Sequence, residues 1–204
     1  MLYTNTVAER TLDLLKGLMS VPELDSFILV GGTALSLQIG HRISVDIDLF
    51  SNTEIDLSTI SQLVKGLGTV KMMTQSKNVL ILNINDVKVD FVNYSYPFIF
   101  DHKIIANIRF ADVRDIAAMK LAAVSGRGRK RDFFDIYFLL KDFTLQDILG
   151  FYKDKFSDGS VMQVLRSLTY FEDAETDTDP FLVTQCSWSQ IKNEITEKVR
   201  EFSC

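Results

Sequence analysis

Two aspartates one residue apart, Asp46 and Asp48, lie inside the apolar run Ser44-Val45-Asp46-Ile47-Asp48-Leu49-Phe50, downstream of the glycine pair Gly31-Gly32. This stretch constrains the fold more than any other. Side chains alternate across a strand, so residues i and i+2 share a side. A strand over 45–50 puts both carboxylates on one spot and turns Val45, Ile47 and Leu49 into a core. Carboxylates that close repel unless a cation lies between them. Mg²⁺ is the usual one, held by one or two carboxylates plus substrate phosphates. Phe27-Ile28-Leu29-Val30 reads as a buried strand running into the glycines, which let a ligand approach the backbone closely. A helix beginning near Thr33 and stopped by Gly40 aims its free N–H groups at an anion.

The rest of the chain follows two patterns. Residues 5–19 and 55–67 show helical spacing of apolar side chains. Strands are expected over 69–75, 78–84 and 87–93, with Asn85-Asp86 as the turn between the last two. Val87, Val89 and Phe91 alternate, so Asp90 projects from the opposite face and supplies a third carboxylate on a neighbouring strand. Beyond about 105 the spacing becomes helical, at 112–125, 131–141, 144–155, 160–171 and 187–201. The acidic stretch 172–179 reads as an exposed loop. The expected class is α+β: a mixed sheet of about five strands with flanking helices over 1–105, then a helical C-terminal half over 106–204.

Composition excludes more than it specifies. Of 204 residues, 47% are hydrophobic and 24% charged, enough for a sizeable core. No apolar run is long enough to span a membrane, and the first ten residues lack the apolar segment of a signal peptide. Two cysteines, Cys186 and Cys204, have no metal-ligand spacing. A cytoplasmic, reduced protein is the expectation. The net charge of −5 argues against coating nucleic acid through the whole surface, while the run Arg127-Gly128-Arg129-Lys130-Arg131 leaves a local phosphate contact open beside a plain solvated loop.

Three acids, two on one strand and one on the next, suit a two-metal phosphoryl- or nucleotidyl-transfer site, in which paired cations clamp the attacking and leaving oxygens. An isolated D-x-D also occurs on solvated strand ends. The combined motifs go further. Gly31-Gly32-Thr33-Ala34-Leu35, then Gly40-His41-Arg42-Ile43-Ser44-Val45-Asp46-Ile47-Asp48-Leu49-Phe50, resembles the signature of polymerase-β-like nucleotidyltransferases. More narrowly it is similar to the AbiEii/AbiGii toxin branch, which also carries a lysine and an R-D-F-x-D segment in its helical half. Here these are Lys120 and Arg131-Asp132-Phe133-Phe134-Asp135. The match spans about 27–140.

That resemblance implies a polymerase-β-like core and a role for each residue. Gly31, Gly32 and Thr33 hold the triphosphate of an incoming NTP, and Asp46 and Asp48 bind Mg²⁺, with two ions expected. Asp90 completes the metal site and helps deprotonate the attacking hydroxyl. Lys120 contacts nucleotide phosphates, and Asp132 is the further polar residue of the helical half. Plainer readings stand beside these. Lys120 could face solvent, Asp132 could cap its helix, and Asp135 could pair with Arg131 or another cation. Arg42 either touches a phosphate or braces the aspartates, and His41 is structural or orients substrate. Phe133, Phe134, Tyr137 and Phe138 read as core, or as a stacking platform. The resemblance implies a Mg²⁺-dependent transfer of NMP from NTP, the toxin part of a toxin–antitoxin pair, a tRNA acceptor and a cognate antitoxin. The alternatives are a small-molecule (aminoglycoside-like) or protein acceptor, or a non-catalytic nucleotide-binding protein.

Overall fold

The computed structural model describes residues 1–203 and divides the chain into two compact units, Met1–Asp112 and the segment from Val113 onward. Cys204 therefore lies outside the described residues, and Cys186 is half-buried.

The first unit is built on a mixed sheet of seven strands: β1 (Ile28–Val30), β2 (Ile47–Ser51), β3 (Val70–Gln75), β4 (Val79–Ile84), β5 (Val87–Asn93), β6 (Lys103–Ile105) and β7 (Ile108–Phe110). Their spatial order is β3-β4-β5-β2-β1-β7-β6. Helices α1 (Glu9–Met19), α2 (Gly31–Ile39) and α3 (Leu57–Leu63) complete the unit. At the centre, β2 runs antiparallel to β1, with Val30 opposite Asp48, and parallel to β5, with Asp48 beside Asp90. Both β2 and β5 alternate as the sequence requires. Ile47, Leu49, Val89 and Phe91 are buried, while Asp48 and Asp90 stand half-buried on the other side. Phe27 packs edge-on against Phe91, with centroids 5.3 Å apart. The β4–β5 hairpin turns at Asn85 and Asp86, at φ 51° and 63°, the conformation of a two-residue type I′ turn.

The structure departs from the sequence reading at four places. The sheet has seven strands rather than about five, because β6 and β7 form a second tight hairpin through Ala106 and Asn107, at φ 52° and 63°. Each is three residues long, too short for an alternating pattern to show. Parallel pairing of Leu29 with Phe110 joins β7 to β1 within the first unit, which runs to Asp112. The Asp-bearing strand begins at Ile47, not at 45. Val45 is 60% exposed, since the lead-in is held elsewhere: Ser44 bridges Val7, and its N–H donates to the Thr6 carbonyl at 2.9 Å. Helix α2 starts at Gly31, two residues earlier than expected. The acidic stretch at 172–179 opens with one helical turn instead of being all loop.

The second unit holds α4 (Val113–Gly126), α5 (Lys130–Leu139), α6 (Leu145–Lys155), α7 (Val161–Leu168), α8 (Glu172–Glu175) and α9 (Trp188–Ser203). A capping box at Thr144 and Asp147 starts α6. Phe133, Phe134, Ile136 and Leu139 from α5 are fully buried, and Trp188 stacks on Phe134 with centroids 5.8 Å apart. Phe133, Phe134 and Tyr137 are thus core side chains of this unit. Among the described residues no helix is long and apolar enough to cross a membrane.

Candidate active site

The acids take their places from the strand register. Asp48 is the second residue of β2, Asp90 is its parallel partner on β5, and both project from the face opposite the core. Asp46 precedes β2 in the extended lead-in, half-buried. Asp48 also lies opposite Val30, the last residue of β1, so its carboxylate rests against Gly31. Gly31 sits at φ +69°, and a Cβ there would collide with the Asp48 carboxylate. Only glycine allows this approach.

Gly31 and Gly32 form the first turn of α2, and no side chain caps it. The opening N–H groups of a helix have no intrahelical partner, so this end can accept an anion. Thr33 is fully buried, and its hydroxyl works inward. It bonds the Ser44 hydroxyl at 2.9 Å and the Asp46 carbonyl oxygen, tying the start of α2 to the acidic strand. What Thr33 has for a phosphate is its backbone rather than its side chain. Arg42 is buried, donating to the Ile43 carbonyl at 3.0 Å, and its guanidinium lies where a Cβ on Gly32 would be. It braces the glycine turn. His41 is also buried, 2% exposed.

The three acids do not form a ready-made cluster. Among the described residues no three His, Cys, Asp or Glu side chains stand close enough together to hold a metal ion. Like charges on neighbouring strands repel. Asp90 relieves this through Lys88, whose ammonium meets its Oδ2 at 2.6 Å. Two features nevertheless suit a divalent cation. Asp90 Oδ1 is buried with no hydrogen-bond partner, and the donor set is all carboxylate oxygen, the preference of Mg²⁺.

In the helical unit, Lys120 is buried rather than solvent-facing. Its ammonium lies 2.9 Å from Asp132 and 2.5 Å from Asp135, one turn apart on α5. Arg127 adds a two-pronged contact to Asp132, Nε at 2.9 Å and Nη2 at 3.0 Å. Asp132 occupies the first turn of α5, yet its carboxylate is spent on these cations and is no cap. Burial by itself would raise its pKa, but Lys120 and Arg127 outweigh burial and hold it below the usual carboxylate range. The basic run at 127–131 is largely engaged within its own unit. Lys130 Nζ meets Asp179 at 3.0 Å, and Asp177 accepts from the Lys130 N–H at 3.0 Å. Lys88 was not singled out from sequence, and Arg127 was read only as part of the basic run, not as a partner of Asp132. The signal for Lys88 was its i−2 spacing from Asp90, which puts both on one face.

These motifs have a known setting. The family model described as nucleotidyl transferase AbiEii toxin, type IV TA system, matches residues 13–201. The chain belongs to the AbiEii nucleotidyltransferase toxin family. An uncharacterized protein of Aquifex aeolicus (strain VF5) is 32% identical over 198 residues, covering 92% of this chain and 93% of that one. A solved H. pylori protein, provisionally titled a nucleotidyltransferase, has a TM-score of 0.59 at 21% identity and covers 95% of each chain. ANT(2″)-Ia, solved with adenylyl-2″-tobramycin, has a TM-score of 0.55 at 15% identity, over 72% of this chain and 95% of its own. Both structures share the fold. An AbiEii chain is a nucleotidyltransferase, and the seven-stranded mixed sheet of this one lies in the first unit.

Proposed function

We propose that this chain transfers a nucleoside monophosphate from an NTP to an acceptor hydroxyl, releasing pyrophosphate, and that it does so as the toxin of a toxin–antitoxin pair with tRNA as acceptor. The observation that carries the transfer is the parallel register of Asp48 with Asp90, beside an uncapped helix start at Gly31. The N–H groups of Gly31, Gly32 and Thr33 bind triphosphate oxygens, and Arg42 keeps that turn in shape. Asp46, Asp48 and Asp90 hold Mg²⁺, which when bound offsets the negative charge that builds on the reacting phosphate. Asp90 takes the proton from the acceptor hydroxyl. The new bond joins acceptor oxygen to the α-phosphorus, and the bond to the β-phosphate's bridging oxygen breaks. Lys120 is assigned to nucleotide phosphates, and Asp132, with Asp135, to fixing its ammonium.

Three supports favour the tRNA-directed toxin reading: the family membership, the glycine-threonine start, and the R-D-F-F-D segment. A cationic small-molecule acceptor is favoured only by the net charge of −5. The test is transfer from labelled NTPs into total RNA and, in parallel, into aminoglycosides. Label is expected in the tRNA fraction. Asp46→Asn with Asp48→Asn should lower it by at least about a thousandfold with the thermal unfolding temperature unchanged, since loss of charge stabilisation at the reacting phosphate is worth several kcal/mol. Retained transfer in the double variant overturns the metal assignment. Label confined to the small molecules overturns the acceptor. Rescue of growth by a co-expressed neighbouring gene tests the antitoxin.

A further inference from the structure

Lys88 is a cation of the first unit in direct contact with an acid of the site, and the geometry points to more than a surface pair. Lys88 and Asp90 are i and i+2 on β5 and so share the face that carries Asp48. The Lys88 ammonium takes Asp90 Oδ2 at 2.6 Å, while Oδ1 of the same carboxylate is buried with no partner. A carboxylate oxygen buried without a partner is costly to a fold and is rare without a use. Lysine is also the cation suited to letting go. Its single point charge rides on a flexible stem, where arginine would clamp both oxygens in a fork.

We propose that Lys88 is a built-in counter-ion for Asp90. It neutralises and aims that carboxylate, yields to the divalent cation, and so keeps metal affinity low until nucleotide phosphates arrive to share the load. The role rests on the metal assignment made above. An ammonium and a divalent ion on one carboxylate repel each other, so metal entry at Asp90 Oδ1 works against Lys88 and pushes it away. Lys88 is on this account a positioning residue that sets metal affinity, not a group that touches the reacting atoms.

The test is Mn²⁺ binding to the full chain, read as loss of the free-ion electron paramagnetic resonance signal, with and without a non-hydrolysable NTP analogue. Lys88→Met should lower the nucleotide-free dissociation constant about tenfold, the low end of what removing one adjacent charge does to a neighbouring equilibrium. Lys88→Gln should do the same, and Lys88→Arg should not tighten binding, because the charge remains and its fork holds Asp90 harder. With the analogue bound, wild type and Lys88→Met should converge. Asp90→Asn should erase the difference between the two backgrounds. Unchanged or weaker nucleotide-free binding in both neutral variants, folded by thermal denaturation, overturns the counter-ion role and leaves the metal assignment standing. No Mn²⁺ binding by wild type even with the analogue overturns the metal assignment, and the counter-ion role with it.

Discussion

Gly31 and Gly32 are adjacent, yet their substitution should have different consequences. Gly31 sits at φ +69° with the Asp48 carboxylate where a Cβ would go. Alanine there bears left-handed backbone strain of about 1–2 kcal/mol and must push Asp48 off the sheet face. At Gly32 the obstacle is the far end of Arg42, a flexible side chain that can give way. Gly31→Ala is therefore expected to lower the thermal midpoint by several degrees and to abolish NMP transfer. Gly32→Ala should leave the midpoint nearly unchanged and weaken nucleotide binding modestly, as Arg42 shifts. Differential scanning fluorimetry with a transfer assay checks both, and a Gly31→Ala chain with wild-type stability would show that the close approach is not needed. The glycine pair was legible in sequence because few other residues invite a backbone ligand. The inward turn of Thr33 was not, since no local pattern says which side a hydroxyl takes.

Elements were legible in proportion to their length. Helices α4, α5 and α6 fell within a residue or two of the apolar spacing, and the β4–β5 hairpin followed from Asn85-Asp86. The β6–β7 hairpin was not legible. Its turn, Ala106-Asn107, lacks the glycine that usually marks such turns, and its strands gain their identity only from pairing with β1. The contact joining α4 to α6 was equally hidden. Asp115 and Lys155 form a fully buried ion pair at 2.7 Å, forty residues apart in sequence. Burial draws the Lys155 pKa below the ordinary lysine range, more than the Asp115 carboxylate gives back. The folded chain thus bears a cost for this charge, which is relieved only as pH rises through the lowered value. Lys155→Met should destabilise the helical unit by about 3–5 kcal/mol, because it removes the buried countercharge of Asp115. The double variant Asp115→Leu/Lys155→Met should recover most of that loss. Urea denaturation of the four proteins of the cycle measures this, and a double variant no better than the single would mean that the pair is net stabilising.

For the molecule as a whole, the acid side of the stability curve is the discriminating measurement. The chain carries 27 acidic residues against 22 lysines and arginines, and most of those acids are exposed or only half-buried. Asp132 is different. Its folded pKa is lowered, so its contribution is complete above the unfolded value of about 3.9 and is lost as pH falls through the lower folded value. The sole tryptophan, Trp188, reports on that region, packed on Phe133, Phe134 and Phe171 within the helical unit. Asp132→Asn removes a charged acceptor from Lys120 and Arg127 and should cost about 2 kcal/mol at pH 7, with Asp135 still holding the lysine. The same substitution should cost much less near pH 3, because the wild-type carboxylate is then losing its own advantage. Urea midpoints from Trp188 fluorescence should accordingly lie well apart at neutral pH and draw together in acid. Parallel midpoints at both pH values would mean that Asp132 acts through shape rather than charge. The role of Asp132 in fixing Lys120 for phosphate would then lose its electrostatic basis.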